Sequence, residues 1–203
     1  MSDDDLSAKA LTAEKNLWAI YLKARRVPFN SFNFWATATI TVLVAAQYCV
    51  MDTALDDKLK IVRDFSYIAM GLVISILGFI LAGFTIFSTI SQPEMLVAMS
   101  RHRHEVSGLS YLKNNYFIFM RVFIYYIIYA IACLAIITFG TRGGLVQKLV
   151  NLSPISWHIE EWLIGLAYVF VYAGLFFLLM QLKSFIFNVY HSVMTAIRWK
   201  ATQ

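Results

Sequence analysis

Residues 67–90 read YIAMGLVISILGFILAGFTIFSTI and carry no charged side chain. At about 1.5 Å of rise per residue, an α-helix of this length extends roughly 36 Å, which exceeds the ~30 Å hydrocarbon core of a bilayer. A buried helix of a soluble protein is seldom so long and so uniformly apolar. The stretch therefore predicts a transmembrane helix.

Three further apolar runs accompany it, at residues 32–51, 116–139 and 162–182. Hydrophobic residues make up 60% of the 203-residue chain and charged residues only 14%, and the mean hydropathy is +0.65. These values are typical of a membrane protein. The predicted fold is all-α: a polytopic membrane protein with four transmembrane helices in a domain of residues 31–182.

Both ends of the chain have the pattern of amphipathic helices. The apolar positions of residues 1–30 recur at helical spacing: Leu6, Ala10, Ala13, Leu17 and Tyr21. We expect this helix to end at Pro28 and to lie on the cytoplasmic membrane interface, or to pack against a partner protein. Residues 183–203 predict a basic amphipathic tail, cytoplasmic as well, that continues the fourth span or bends along the membrane.

The distribution of basic residues predicts the orientation. Of the 17 Lys and Arg, eleven lie in the N-terminal segment, the 91–115 connection and the tail, whereas five lie in the two opposite loops. Cytoplasmic segments carry the excess of Lys and Arg. Both termini are therefore expected in the cytoplasm.

A stripe of small residues runs along the second span at steps of three and four. Its members are Gly71, Ser75, Gly78, Ala82, Thr85 and Thr89. In lipid, small residues let helix backbones approach closely, so the stripe predicts a helix-packing or oligomerisation face. The alternative is that Gly and Ser are simply common in membrane helices.

A second set of residues is expected to contact a cytoplasmic partner or lipid headgroups. Its members are Arg25, Arg26, Arg101, Arg103, Arg121, Arg198 and Lys200. Arg121 lies within about two turns of the start of the third run, where its long stem is expected to reach the headgroups. Tyr125, Tyr126 and Tyr129 follow it and either hydrogen-bond across the bundle or fill space.

Two polar stretches invite a metal-site interpretation that their patterns do not favour. His102 and His104 are two positions apart and would point to different sides of a helix, which favours a basic headgroup cluster over a metal or pH-sensing site. Residues 52–66 contain aspartates but lack the alternating ligands and central Gly of a calcium loop. We expect a short solvated connection there.

The motifs of common catalytic sites are absent from the sequence, including the P-loop, the dinucleotide fingerprint and H-E-x-x-H. None of the four runs contains Asp or Glu, the groups most used for proton coupling, which argues against a proton-coupled transporter. A passive pore needs no such groups. The expectation is a protein without catalytic activity, cofactor, metal site or direct nucleic-acid binding.

The segment GFILAGFTIFSTI (residues 78–90), with the four-span layout and amphipathic ends, resembles small four-span membrane proteins of bacterial anti-phage operons. The membrane subunit of the Kiwa system is the nearest of these. The resemblance implies a homo-oligomer of the bacterial inner membrane that holds a cytosolic effector protein and responds to infection.

Two functions are consistent with these features. The first is an oligomeric scaffold or sensor, surrounded by membrane lipids, that recruits a cytosolic effector. The alternative is a pore-forming effector whose oligomer conducts ions.

Overall fold

The computed structural model describes residues 11–28, 30–152 and 156–201. Its helices are α1 (Leu17–Ala24), α2 (Ser31–Val50), α3 (Leu55–Ile90), α4 (Pro93–Arg101), α5 (Tyr111–Phe139), α6 (Leu145–Val150) and α7 (Ser156–Ala201). In these ranges β-structure is limited to an isolated antiparallel bridge between Arg103 and Ser110. The prediction of an all-α chain is confirmed.

Four helices, α2, α3, α5 and α7, are long and apolar enough to cross a membrane. They coincide with the four apolar runs of the sequence. The prediction of four membrane-type helices is therefore confirmed, and the chain has the architecture of a membrane protein.

The helices begin earlier than the apolar runs do. α3 starts at Leu55, so the solvated connection expected across residues 52–66 was wrong for residues 55–66. Asp56 and Asp57 lie in the first turn, where acidic side chains stabilise a helix. Val62 and Ser66, one turn apart, are fully buried. About three turns of charged sequence thus extend the α3 helix, because one face of these turns packs against protein.

The two ends also differ in detail from the predicted pattern. Asn16 caps α1, since its Oδ1 accepts a hydrogen bond of 2.8 Å from the Ala19 amide, so residues 13–16 lie outside the helix. The predicted positions Leu6 and Ala10 lie outside the described residues. α7 runs on without interruption to Ala201, which selects the continuous alternative for the tail.

The helical segments divide into two compact units. The first, here called the α2 unit, consists of Ser31–Ile76 and Tyr126–Met180. The second, the α1 unit, consists of the described residues of Met1–Asn30, Leu77–Tyr125 and Gln181–Gln203. Each has its own buried core.

Within the α2 unit, side chains from neighbouring helices donate hydrogen bonds to backbone carbonyls of α7. The Tyr129 hydroxyl donates to Val171 O at 2.6 Å and the Tyr126 hydroxyl to Leu178 O at 2.9 Å. Asn33 Nδ2 donates to Met180 O at 3.0 Å. Polar groups among apolar helices need such internal partners. Of the two alternatives for Tyr126 and Tyr129, the hydrogen-bonding one is found.

Two glycines of α7 let these aromatic rings approach its backbone. A Cβ at Gly174 would stand 2.8 Å from Tyr129 Cε2, and one at Gly165 would stand 2.7 Å from Tyr48 Cε1. Both distances are too short for a carbon contact. Neither glycine belongs to the stripe in the second span. The close approach of helices inside this unit therefore depends on small residues of α7 and not on that stripe.

We predict that Gly174→Ala destabilises the protein by about 1–3 kcal/mol, because the added methyl overpacks a ring that its hydroxyl holds in place. Thermal unfolding in a mild detergent measures the effect. Gly78→Ala is the matched control, since a Cβ there would have no other described residue of the subunit within 4 Å apart from its own helix backbone. In the dissociated subunit it is expected to be neutral or slightly stabilising. Equal unfolding temperatures for the two variants would contradict the packing described.

Candidate functional site on the N-terminal segment

The α1 unit is built on an aromatic cluster contributed by α3, α5 and α7. The rings of Phe87 and Phe119 lie 5.3 Å apart, and Phe119 and Phe185 are separated by the same distance. All three are almost fully buried. Gly83 makes room for this cluster, since a Cβ there would stand 3.0 Å from Phe185 Cζ.

The N-terminal segment (residues 11–28) binds to α5 through ion pairs of Glu14. Lys113 Nζ lies 2.8 Å and 2.9 Å from the two carboxylate oxygens of Glu14, and Lys23 Nζ lies 2.6 Å from Oε1. The Glu14 side chain is 6% exposed and that of Lys113 9%. Because both are largely removed from solvent, each needs the other as a partner.

The environment of Glu14 lowers its pKa from the ordinary value of 4.5. Burial alone would raise the pKa, but the hydrogen bonds and positive charges of Lys113 and Lys23 outweigh this effect. Glu14 is therefore a carboxylate at neutral pH, and its charge supports the docked position of the segment.

Arg121 holds the other end of the same segment. Its Nη1 donates hydrogen bonds to Val27 O at 2.6 Å and Ala24 O at 3.2 Å, and the residue is only 5% exposed. A cation at these carbonyls compensates the end of α1, whose last C=O groups lack helical partners. The expectation that Arg121 reaches the headgroups is therefore corrected: its guanidinium is buried by protein.

Apolar contacts complete the attachment. Ala24 and Val27 form a buried cluster with Leu109 and Phe117, and Ile20 packs against it. On α5, Lys113, Phe117 and Arg121 follow one another at intervals of four, which places them on one helical face. The N-terminal segment covers that face. We refer to the segment in this position as the N-terminal platform.

The platform presents both basic and apolar side chains outward. Arg25 and Arg26 are exposed and form no ion pair with another described residue. On α1, Leu17, Trp18 and Leu22 are 47%, 64% and 48% exposed. This combination suits either a protein surface with acidic and apolar groups or a membrane interface.

The other expected contact residues lie elsewhere in the α1 unit. Arg101 ends α4 and is exposed, whereas Arg103 is half-buried and its backbone forms the bridge with Ser110. Arg198 and Lys200 are exposed in the last turn of α7. Arg25 and Arg26 belong to the platform; the other five basic residues expected to contact a partner lie on other segments.

His102 and His104 lie in a tight turn rather than on a helix. The His104 amide donates to Leu109 O at 2.7 Å, and the Tyr111 amide donates to His102 O at 3.0 Å. Gly108 closes the turn with φ of 68°, a conformation that glycine adopts without strain. The two imidazoles are therefore positioned by this turn and not by helical spacing.

Among the described residues, no group of three or more His, Cys, Asp or Glu could hold a metal ion.

A cavity of about 390 Å³ with both polar and apolar walls lies between this turn, α4, α5 and α7. Its walls include His104, Asn114, Asn188, His191 and Ser192. Asn114 is 4% exposed, and its Oδ1 accepts no hydrogen bond from the described residues. The lining contains amides, imidazoles and hydroxyls without a carboxylate or an ammonium group, so it suits water or a small neutral polar molecule.

The small residues of the second span face away from the rest of the chain. Gly71, Ser75, Gly78, Ala82, Thr85 and Thr89 are all exposed. The hydroxyls of Ser75 and Thr85 donate to the carbonyls of Gly71 and Leu81 in their own helix. The buried face of α3 carries Val73, Ile80 and Phe87 instead. The stripe is therefore not part of the buried face with which α3 packs against the other described helices.

The sequence interpretation missed Glu14 and Lys113. The available signal was the row of Lys113, Phe117 and Arg121, spaced four positions apart, which places two long cations and an aromatic residue on one face of a helix. Such a row indicates a face covered by another polar segment.

Comparison with known proteins found no matching family, no matching curated protein and no matching solved structure.

The Glu14 pKa predicts a pH dependence for the docking of the platform. A lowered pKa in the folded state contributes stability that is complete above pH 4.5 and is lost as the pH falls below that value. Hydrogen exchange of α1 amides, corrected for the intrinsic rate, should accelerate in this acidic window. Glu14→Gln is expected to weaken protection by roughly 1–3 kcal/mol at neutral pH, because Lys113 loses its charged partner. An unchanged acidic transition in Glu14→Gln would contradict the assignment.

Proposed function

We propose that this protein is a homo-oligomeric scaffold or sensor of the bacterial inner membrane that recruits a cytosolic effector, in anti-phage defence. The single observation that carries the proposal is the N-terminal platform: a short helix held in a fixed position by Glu14, Lys113 and Arg121, with Arg25 and Arg26 exposed beside apolar side chains. The expected occupant is an acidic protein surface with apolar groups. No enzymatic step is proposed.

The fixed position of the N-terminal platform favours a protein over lipid as its binding partner. Attraction of basic residues to anionic headgroups operates through charge and needs no defined geometry. Recognition of a protein surface gains affinity from groups that are ordered before binding. Four apolar helices already suit the chain to a bilayer, so a buried ion pair at the N-terminus is not required for anchoring. Headgroup contact is a supporting role for the same arginines.

The cytoplasmic location of the platform follows from the excess of Lys and Arg on its side of the spans. With both termini in the cytoplasm, Arg101 and the end of α7 lie on that side as well. An effector would thus meet several elements of the α1 unit.

Oligomerisation is assigned to the stripe of the second span. Its residues are exposed on the isolated subunit, and a second copy could approach closely over Gly78 and Ala82. The resemblance to four-span defence subunits supports the same assembly.

Charge reversal tests the docking proposal. We expect Arg26→Glu combined with Arg101→Glu to abolish co-purification of a cytosolic protein from native membranes, because both residues are exposed cations. The matched control is Lys60→Glu combined with Lys148→Glu, which makes the same charge change at exposed positions of the α2 unit and should leave capture intact.

Two results would oppose the proposal. One is equal capture by both double variants. The other is the absence of any stoichiometric cytosolic protein together with ion conduction by liposomes containing the purified protein, which would favour the pore.

Substitution in the stripe tests the oligomer separately from the fold. Gly78→Leu should dissociate the oligomer in detergent while the unfolding temperature of the subunit falls little, because no atom of the subunit lies within 4 Å of a Cβ there. Leu81→Val, also on an exposed position of α3, serves as control. Native mass spectrometry reads out the subunit number. An unchanged oligomer in Gly78→Leu would remove the stripe from the interface.

A further inference from the structure

A second cavity, of about 300 Å³, lies in the α2 unit, and its lining is almost entirely apolar. α3 contributes Leu59 and Val62, α5 contributes Ala135 and Ile136, and α7 contributes Ile164 and Ala167. An engineered apolar cavity of about 150 Å³ stays dry and takes up benzene. A space of twice that volume has room for a larger apolar group, such as a hydrocarbon chain of medium length.

Beside this cavity lies Arg63, whose Nε has no hydrogen-bond partner among the described residues. Arg63 follows Leu59 by four positions and Val62 by one, so it shares their side of α3. Its Cδ lies 3.8 Å from the point where a Cβ of Gly140 would stand, and Gly140 lines the cavity. The Arg63 Nε is buried as well.

The acidic groups nearby are already engaged. Arg142 contacts the carboxylates of both Asp56 and Glu160, and Glu160 lies on the cavity wall. Arg63 forms no ion pair with a described residue. A guanidinium that is partly withdrawn from water and lacks a carboxylate is a binding group for an external anion.

We propose that this cavity binds a medium-chain fatty acid, with the hydrocarbon chain between α3, α5 and α7 and the carboxylate on Arg63. Apolar walls and one cation at the edge match the two ends of such a molecule. The hydroxyl of Thr141, also on the wall, can donate a further hydrogen bond to the carboxylate. The site lies outside the α1 unit and does not depend on the proposed recruitment of an effector.

Titration of the full-length protein in lipid nanodiscs with dodecanoate tests the proposal, with dodecanol as the uncharged analogue. Saturable dodecanoate binding is expected for the wild type. Arg63→Gln should weaken dodecanoate binding about tenfold or more, the loss expected for a charge-assisted hydrogen bond, and leave dodecanol binding nearly unchanged. Lys60→Gln, an exposed cation on the same helix, is the matched control and should bind as the wild type does.

A second variant tests whether the hydrocarbon chain of the ligand lies in the cavity. Ala135→Leu should weaken the binding of both molecules, because it fills the cavity, and Ala167→Leu repeats the test should the first variant fail to fold. Ala46→Leu, at an exposed position of α2, should have no effect. Wild-type protein that binds no dodecanoate, or equal affinities in Arg63→Gln and Lys60→Gln, would overturn the proposal.

Discussion

The burial of the Arg121 guanidinium against the carbonyls of Ala24 and Val27 is the contact on which the arrangement of the N-terminus depends. An arginine cannot be neutralised by losing its proton, so it must find acceptors wherever protein covers it. The Ala24 carbonyl at the end of α1 already accepts a hydrogen bond from the Val27 amide, but a carbonyl oxygen has a second lone pair that Arg121 can use. Val27, three residues beyond α1, provides the second acceptor. Since α5 holds Arg121 in place, the N-terminal segment is held as well, and Arg25 and Arg26 are displayed in a fixed position.

Buried polar groups of the α2 unit also need hydrogen-bond acceptors inside the protein. The hydroxyls of Tyr126 and Tyr129 and the amide of Asn33 all donate to carbonyls of α7 that already accept a helical hydrogen bond. Each carbonyl has two lone pairs, so these bonds add to the helix without disrupting it. In an apolar environment such bonds fix how neighbouring helices lie, since an unsatisfied donor is costly there. The glycines beside the rings, Gly165 and Gly174, allow the approach.

The fold was largely predictable from the sequence, and the contacts were not. Uniform apolar runs predict four long helices because hydropathy and length are local properties. The helical extension of α3 through residues 55–66 was missed because charged residues there hide an apolar face. The contacts of Glu14 with Lys113 and of Arg121 with Val27 join residues 94 or more positions apart. Spacing along the chain carries no information on such pairs. It likewise left open whether the small residues of α3 pack within the subunit or between subunits, and their exposure favours the second.

The central claim, that the platform binds a cytosolic protein, is tested most directly by photo-crosslinking in living cells. A photoreactive phenylalanine analogue at Trp18, which is 64% exposed on α1, should form one dominant adduct with a cytosolic protein, and the adduct should be lost in Glu14→Gln because the platform loosens. The same analogue at Trp162, 79% exposed in α7, should give no such adduct. Crosslinks from position 18 to lipid alone would contradict the account.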